Sequence, residues 1–198
     1  MKIGIVSDLH ANAAGLAAAL ARMGPVDELL CVGDLVEESR FSNEVIALLR
    51  DRGARCVLGN HDLQFLAGWR RRGGQATGAD PELVAWLAEQ PLRVDLEVAG
   101  RVLVMTHASP CEPYTQYVYP HSPELQRLAE VEADYVVIGH THTRMAREVG
   151  SLLAVNPGSA GLAQDPANGK QLSYAVLDAA TGHVTFDDYR LEPPKLHV

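Results

Sequence analysis

Cysteine is scarce in this 198-residue chain: Cys31, Cys56 and Cys111 lie far apart, and none belongs to a CxxC element. An odd number cannot all pair within one chain, and Cys31 and Cys56 sit in apolar runs. They read as small core thiols of a reducing compartment, not as a disulfide framework or a thiolate metal site. Aromatic residues make up only 6%, which leaves Ala, Leu and Val to build the core. No apolar stretch is long enough to span a bilayer, so no membrane partner is expected. The opening residues run directly into Asp8 and His10, with no place for the apolar region and cleavage site of a leader; the cytoplasm is the expected compartment. Positive charge is also in deficit, with 17 Lys and Arg against 25 Asp and Glu and a formal net charge of -8. Polyanion binding is driven by phosphate neutralisation and counterion release, so this balance argues against a nucleic acid polymer as partner.

What is present is an alternation of short apolar runs with helical periodicity. Residues 3–6, 28–32 and 54–58 read as buried strands. Residues 12–23, with Leu16, Leu20 and Met23 on one face, read as a helix, as do 42–50 behind a Ser42 cap. Such alternation implies parallel β-α-β units whose strand C-termini share one edge. Further on, 69–74 reads as a frayed helix end before a mobile loop, and Pro81 opens a helix to about Glu89. Residues 94–98 and 102–106 form a hairpin, and 110–123 is a long surface loop. A helix near 124–131 and a strand at 135–138 follow. The remainder, 145–149, 152–155, 172–177 and 184–189, reads as antiparallel. No linker or repeat interrupts the chain, so one domain is expected over 1–198.

Five polar clusters each follow a strand-like run: Asp8-x-His10, Gly33-Asp34, Gly59-Asn60-His61-Asp62, His107 and Gly139-His140-Thr141-His142. In an open α/β sheet, side chains just past the strand C-termini converge on one crevice. The donors are oxygens and imidazole nitrogens, which suit Mn, Fe, Zn, Ni or Co better than all-oxygen cations such as Mg or Ca. A carboxylate shared by two cations is a recurrent device of phosphate chemistry.

These motifs resemble those of the calcineurin-like metallophosphoesterases, the small bacterial phosphodiesterase branch above all, and Asn156-Pro157-Gly158-Ser159 is also typical of that branch. The resemblance implies a four-layer α/β/β/α sandwich and two divalent metal ions, Mn foremost. Carried over by motif, it puts Asp8, His10, Asp34 and His142 on the first metal. Asp34 then bridges to the second, which Asn60, His107 and His140 complete. A metal-bridging hydroxide would attack phosphorus, with Asn60 and His61 meeting the substrate phosphate. His61 would protonate the leaving oxygen, a task suited to imidazole, and Asp62 would accept a hydrogen bond from the His61 ring and hold it. Ala11 and Ala108 depart from the pattern, standing where the branch often has Gly after a metal-binding His.

The implied activity is hydrolysis of a small nucleotide-like or other phosphodiester. The alternative on the same site is a protein or small-molecule phosphomonoesterase. Protein phosphatases similar to calcineurin carry Glu in place of Asp62 and an Arg soon after the Gly-Asp motif, where this chain continues Leu35-Val36-Glu37-Glu38. A DNA nuclease of the same superfamily ranks behind both. A different class is a non-catalytic scaffold similar to the retromer subunit, which His61 argues against. Homo-oligomerisation is left open. Asn12 reads as a helix cap, and Arg70, Arg71 and Arg72 as a solvated face. Tyr114, Tyr117 and Tyr119 are candidates to line a pocket, and the Asn156–Ser159 turn to pack the site from below.

Overall fold

The computed structural model describes residues 1–74 and 78–192. The expected mobile loop after Gly74 falls partly on 75–77, outside the described residues. Among the described residues, ten strands form two five-stranded sheets. The first has the order β10(His183–Tyr189)-β9(Leu172–Asp178)-β1(Lys2–Val6)-β2(Glu28–Cys31)-β3(Arg55–Cys56). The second runs β4(Arg93–Val98)-β5(Arg101–Thr106)-β6(Tyr135–Val137)-β8(Leu152–Asn156)-β7(Met145–Val149). Helices α1(Ala13–Met23), α2(Asn43–Asp51), α3(Asn60–Arg71) and α4(Pro81–Ala88) cover the first sheet, and the short α5(Glu124–Arg127) covers the second.

Period-two alternation along the strands decides this layering. In β1, Ile3 and Ile5 face the second sheet while Val6 faces the helices. In β2, Leu29 and Cys31 meet the helices and Leu30 meets the facing sheet. The second sheet repeats the scheme: Leu103, Met105, Tyr135, Val137 and Val155 point inward, whereas Val104, Val136 and Ala154 meet Val118, Leu125 and Leu128 outside. Three apolar interfaces therefore separate four layers, the α/β/β/α sandwich expected from the resemblance. Each fully buried Leu or Ile contributes about 1.5–3 kcal/mol from removal of apolar surface from water, so the interior sheet interface is the mechanical base of the molecule.

The helix starts are set by local chemistry. Asn12 accepts from the Gly15 N–H at 2.9 Å, and Ser42 accepts from the Val45 N–H at 3.2 Å. Pro81 occupies the first turn of α4, behind an Asp80 cap. Two expectations need correction. The third strand is only two residues long, because β3 is an edge strand paired with β2 alone. The helix expected over 124–131 tightens into a 3-10 turn at Leu128–Glu130. The last four strands do pair antiparallel as two hairpins, but these belong to different sheets, and β8 also runs parallel to β6. Among the described residues, no helix is long and apolar enough to cross a membrane. Cys31, Cys56 and Cys111 are free, the first two buried.

Candidate active site

Parallel pairing of β1 with β2 and of β5 with β6 brings five loops to one edge of the sandwich. The loops are sewn together by backbone hydrogen bonds. Asp8 N–H donates to Gly33 O and His10 N–H to Asp34 O, both at 3.0 Å, while Gly139 N–H donates to His107 O at 2.8 Å. The turn at 156–159 closes the floor. Asn156 Nδ2 donates to Gly139 O at 2.7 Å, and Ser159 Oγ donates to Asp8 O at 2.7 Å.

All seven candidate metal ligands meet in this crevice. Asp8, His10 and His142 form one group, and Asp34, His107 and His140 form another, with the donor atoms of each group mutually within 4.8 Å. Asp34 joins the two, since its Oδ2 lies 3.3 Å from His107 Nε2 and 3.9 Å from His10 Nε2. Asn60 stands at the N-terminus of α3 with Oδ1 3.2 Å from His107 Nε2. His61 follows it, its N–H donating to Asp34 Oδ1 at 2.9 Å and its side chain part-exposed.

Two carbonyls fix which nitrogens look inward. His107 Nδ1 donates to Val32 O at 2.7 Å, and His142 Nδ1 donates to Leu162 O at 3.0 Å. Each ring thus turns Nε2 to the crevice, the arrangement by which an outer partner sets a ligating tautomer. His10 Nε2 and His142 Nε2 approach to 3.1 Å, while His10 Nδ1 is 3.0 Å from Glu37 Oε1 without hydrogen-bonding alignment. Asp8 Oδ1 and His140 Nε2 are buried with no hydrogen-bond partner. Buried polar atoms ordinarily have partners, and these converge on shared space. Burial pushes His10 and His140 down to about 4, so both rings are neutral donors at pH 7. Burial also raises Asp8, against the pull of His107 and His142. Asp34 is held at about 2: burial opposes this, but His107 hydrogen bonding and charge outweigh it. Burial likewise works against a charged His107, yet its contacts with Asp34 and the charge of Asp8 raise it to about 9. Buried carboxylates, the neutral His10 and His140 rings and unpartnered donor atoms around one space fit a pair of divalent cations, whose binding would displace the His107 proton.

The backbone is as distinctive as the donors. Asp8, His10, Ala11, Asp34, His140 and His142 all have φ between 46° and 66°, the left-handed region that non-glycine residues seldom adopt. Such strain is retained where surrounding structure over-determines it, commonly at functional sites. It also accounts for one departure from the family pattern. Ala11 stands at φ 59°, where Gly carries no penalty, whereas Ala108 is not among the positive-φ residues described.

Asp62 requires a correction. Its carboxylate does not receive the His61 ring; Oδ2 accepts from Gly59 N–H and Oδ1 from Val36 N–H, each at 2.9 Å. Fully buried, it ties the loop after β2 to the start of α3, and burial with the nearby Asp34 charge raises it to about 7. The reason is geometric: as the third residue of α3, its side chain reaches back to the helix's free N–H groups. The group facing His61 is instead Glu37, with Oε2 3.4 Å from His61 Nδ1. Sequence reading passed over Glu37, whose signal was an acidic side chain three residues after Asp34. Arg40 was also missed; its Nη2 donates to His10 O at 2.7 Å. Arg70, Arg71 and Arg72 are exposed at the far end of α3, about 15 Å along the helix from Asn60. Tyr117 stacks on the His140 ring at 3.8 Å and Tyr119 stacks on Tyr117 at 6.1 Å, while Tyr114 lines a separate cavity beside Asn60 and His107.

Residues 1–182 match the calcineurin-like phosphoesterase superfamily domain. An uncharacterised protein of Methanocaldococcus jannaschii is 27% identical over 206 residues, covering 89% of this chain and 82% of that protein. The symmetrical bis(5'-nucleosyl)-tetraphosphatase of Pectobacterium atrosepticum is 36% identical over 124 residues, covering 54% of this chain. That match spans only 43% of the tetraphosphatase's own length. Among solved structures, a metallophosphoesterase from Sphaerobacter thermophilus has the same fold, with a TM-score of 0.77 at 23% identity over 97% of this chain and 90% of that one.

Proposed function

The chain belongs to the calcineurin-like phosphoesterase superfamily and is a metal-dependent hydrolase of phosphoric esters; on that premise we propose that it cleaves small, nucleotide-like phosphodiesters. The observation that carries the reading is Asp34, whose carboxylate groups with His107 and His140 on one side and with His10 and His61 on the other. Asp8, His10, Asp34 and His142 would hold one divalent cation, and Asp34, Asn60, His107 and His140 a second; the nitrogen and oxygen donors suit Mn, Fe, Zn, Ni or Co, and the resemblance puts Mn first. Such a pair supplies Lewis acidity that lowers the pKa of water and offsets charge on the phosphoryl oxygens.

The chain's own groups do the rest. The N-terminus of α3 begins at Asn60, and its dipole favours negative charge at that end. His61 is part-exposed at that helix end, and its backbone N–H donates to Asp34 Oδ1. Its imidazole delivers the proton to the departing alkoxide. Glu37 Oε2 stands 3.4 Å from His61 Nδ1, without hydrogen-bonding alignment. The similarity to symmetrical tetraphosphatases supports nucleotide-like diesters over phosphoproteins as substrates.

Substituting His61→Ala tests the assignment. Removal of a general acid typically costs about 10²–10⁴-fold. The loss should be large for nucleoside leaving groups and small for 4-nitrophenolate, which departs without a proton. Elemental analysis should find the metal content unchanged. An equal loss on both leaving groups would remove the proton-donor role.

A further inference from the structure

A cavity of about 440 Å³ opens directly onto the proposed reaction centre, sharing Asn60, His107 and His140 with it. This volume lies within the roughly 300–1,000 Å³ of small-molecule sites. Its walls come from separate parts of the fold: Leu63 on α3, Leu92 just before β4, and Pro110 and Tyr114 on the loop after β5. Leu63, Leu92 and Tyr114 are 45%, 59% and 63% exposed, so large apolar side chains from three segments line one wet recess. Concentrations of this kind mark binding surfaces, whereas scattered exposed apolar residues do not.

Three of the polar side chains around the recess are already engaged. Thr106 Oγ1 donates to Ala108 O at 2.8 Å, and Ser109 Oγ donates to Cys111 O at 2.9 Å. Arg93 is paired with Asp95 through Nε at 2.7 Å and Nη2 at 3.2 Å. A sugar would leave part of its hydroxyls unmatched against the aliphatic wall, at the cost of desolvating them. A flat ring would find the Tyr114 face and the Pro110 ring beside aliphatic walls, the setting in which base–aromatic stacking contributes to affinity.

We propose that this recess is the specificity pocket of the enzyme and that it takes an aromatic ring, such as a nucleobase, carried by the ester whose phosphorus lies beside His61. The inference rests on the phosphoesterase reading for the position of the phosphorus and adds the chemical class of the attached group. Leu92 and Tyr114 are the specificity-determining residues. Of the three loop tyrosines, Tyr114 meets substrate while Tyr117 backs His140.

The test uses non-hydrolysable probes on the manganese-loaded full chain. Calorimetric titration compares phenylphosphonate, hexylphosphonate and methylphosphonate, which share the phosphorus group and differ in what it carries. Phenylphosphonate should bind about tenfold more tightly than methylphosphonate, within the range of a single base-stacking contact, and more tightly than hexylphosphonate. Leu92→Gln and Tyr114→Ser, both at exposed positions, should each reduce the phenyl-to-methyl ratio to below about threefold. A ratio near one in the wild type, absence of phosphonate binding, or an unchanged ratio in both variants overturns the pocket. Hexylphosphonate binding as tightly as phenylphosphonate overturns the aromatic assignment. Failure of the hydrolytic reading looks different: no ester would turn over, whatever the phosphonate ratio.

Discussion

Gly33→Ala is the perturbation that most directly couples the fold to the site. Gly33 has φ 86°, and an added Cβ would stand 2.5 Å from His107 Nδ1, 2.8 Å from His107 Cγ and 2.9 Å from Gly59 N. None of these neighbours has room to move. The His107 ring is buried and donates to Val32 O at 2.7 Å, and Gly59 N–H is engaged by Asp62. Left-handed backbone costs a non-glycine residue about 1–2 kcal/mol, and overpacking adds about 1–3 kcal/mol. The stiffer unfolded chain returns about 0.4–1 kcal/mol, which leaves a net loss of about 1–4.5 kcal/mol, near 3 at the middle of each range. Gly53→Ala is the matched control, because Gly53 has φ 61° with nothing within 4 Å of its added Cβ. It should carry the left-handed cost alone, about 1 kcal/mol. Urea denaturation of the chelator-treated proteins reads both losses. Manganese titration reads the second consequence, an affinity at the His107 side weakened about 10–100-fold as its carbonyl partner is displaced. The reasoning is refuted if the two variants agree within about 0.5 kcal/mol and Gly33→Ala still binds manganese like the wild type.

Other outcomes follow from the same geometry. Asp62→Asn should destabilise the protein by about 1–3 kcal/mol, because one of two backbone N–H groups loses its acceptor in a fully buried place. The leaving-group dependence of turnover should stay as in the wild type, and a shift toward the His61→Ala pattern would restore Asp62 as the group that orients His61. Ala11→Gly should stabilise by about 0.5–1 kcal/mol in thermal melts, since relief of left-handed strain exceeds the added unfolded-state entropy; a loss of stability would show that the strain is already absorbed by neighbours.

The residues of the crevice were legible because each ends a short apolar run, and a run that stops at Asp, Asn or His points its last side chains at the sheet edge. Asp8, Asp34, His107 and His140 were found this way. Pairing partners across the chain were not legible. The hairpin through Gly150 fixes β7 against β8 locally, yet nothing near it announces that β8 lies parallel to β6, 15 or more residues earlier. β3 is short for the same reason, since the length of an edge strand depends on its single neighbour rather than on its own apolar run. Asp62 was misread because a carboxylate at a helix start has two competing partners, ring and backbone, and only the reach of the side chain decides between them. Glu37 offered no periodicity at all; it matters only because the loop folds it across two histidines.

The left-handed residues that frame the crevice have a bearing on how the protein acquires its cations. Their conformation is tied in place by neighbouring loops, through the backbone hydrogen bonds from Asp8 to Gly33 and from His10 to Asp34, and the donors they aim are oxygens and imidazole nitrogens that several transition ions accept. Such a donor set selects weakly among those ions, so the ion it carries is governed by supply.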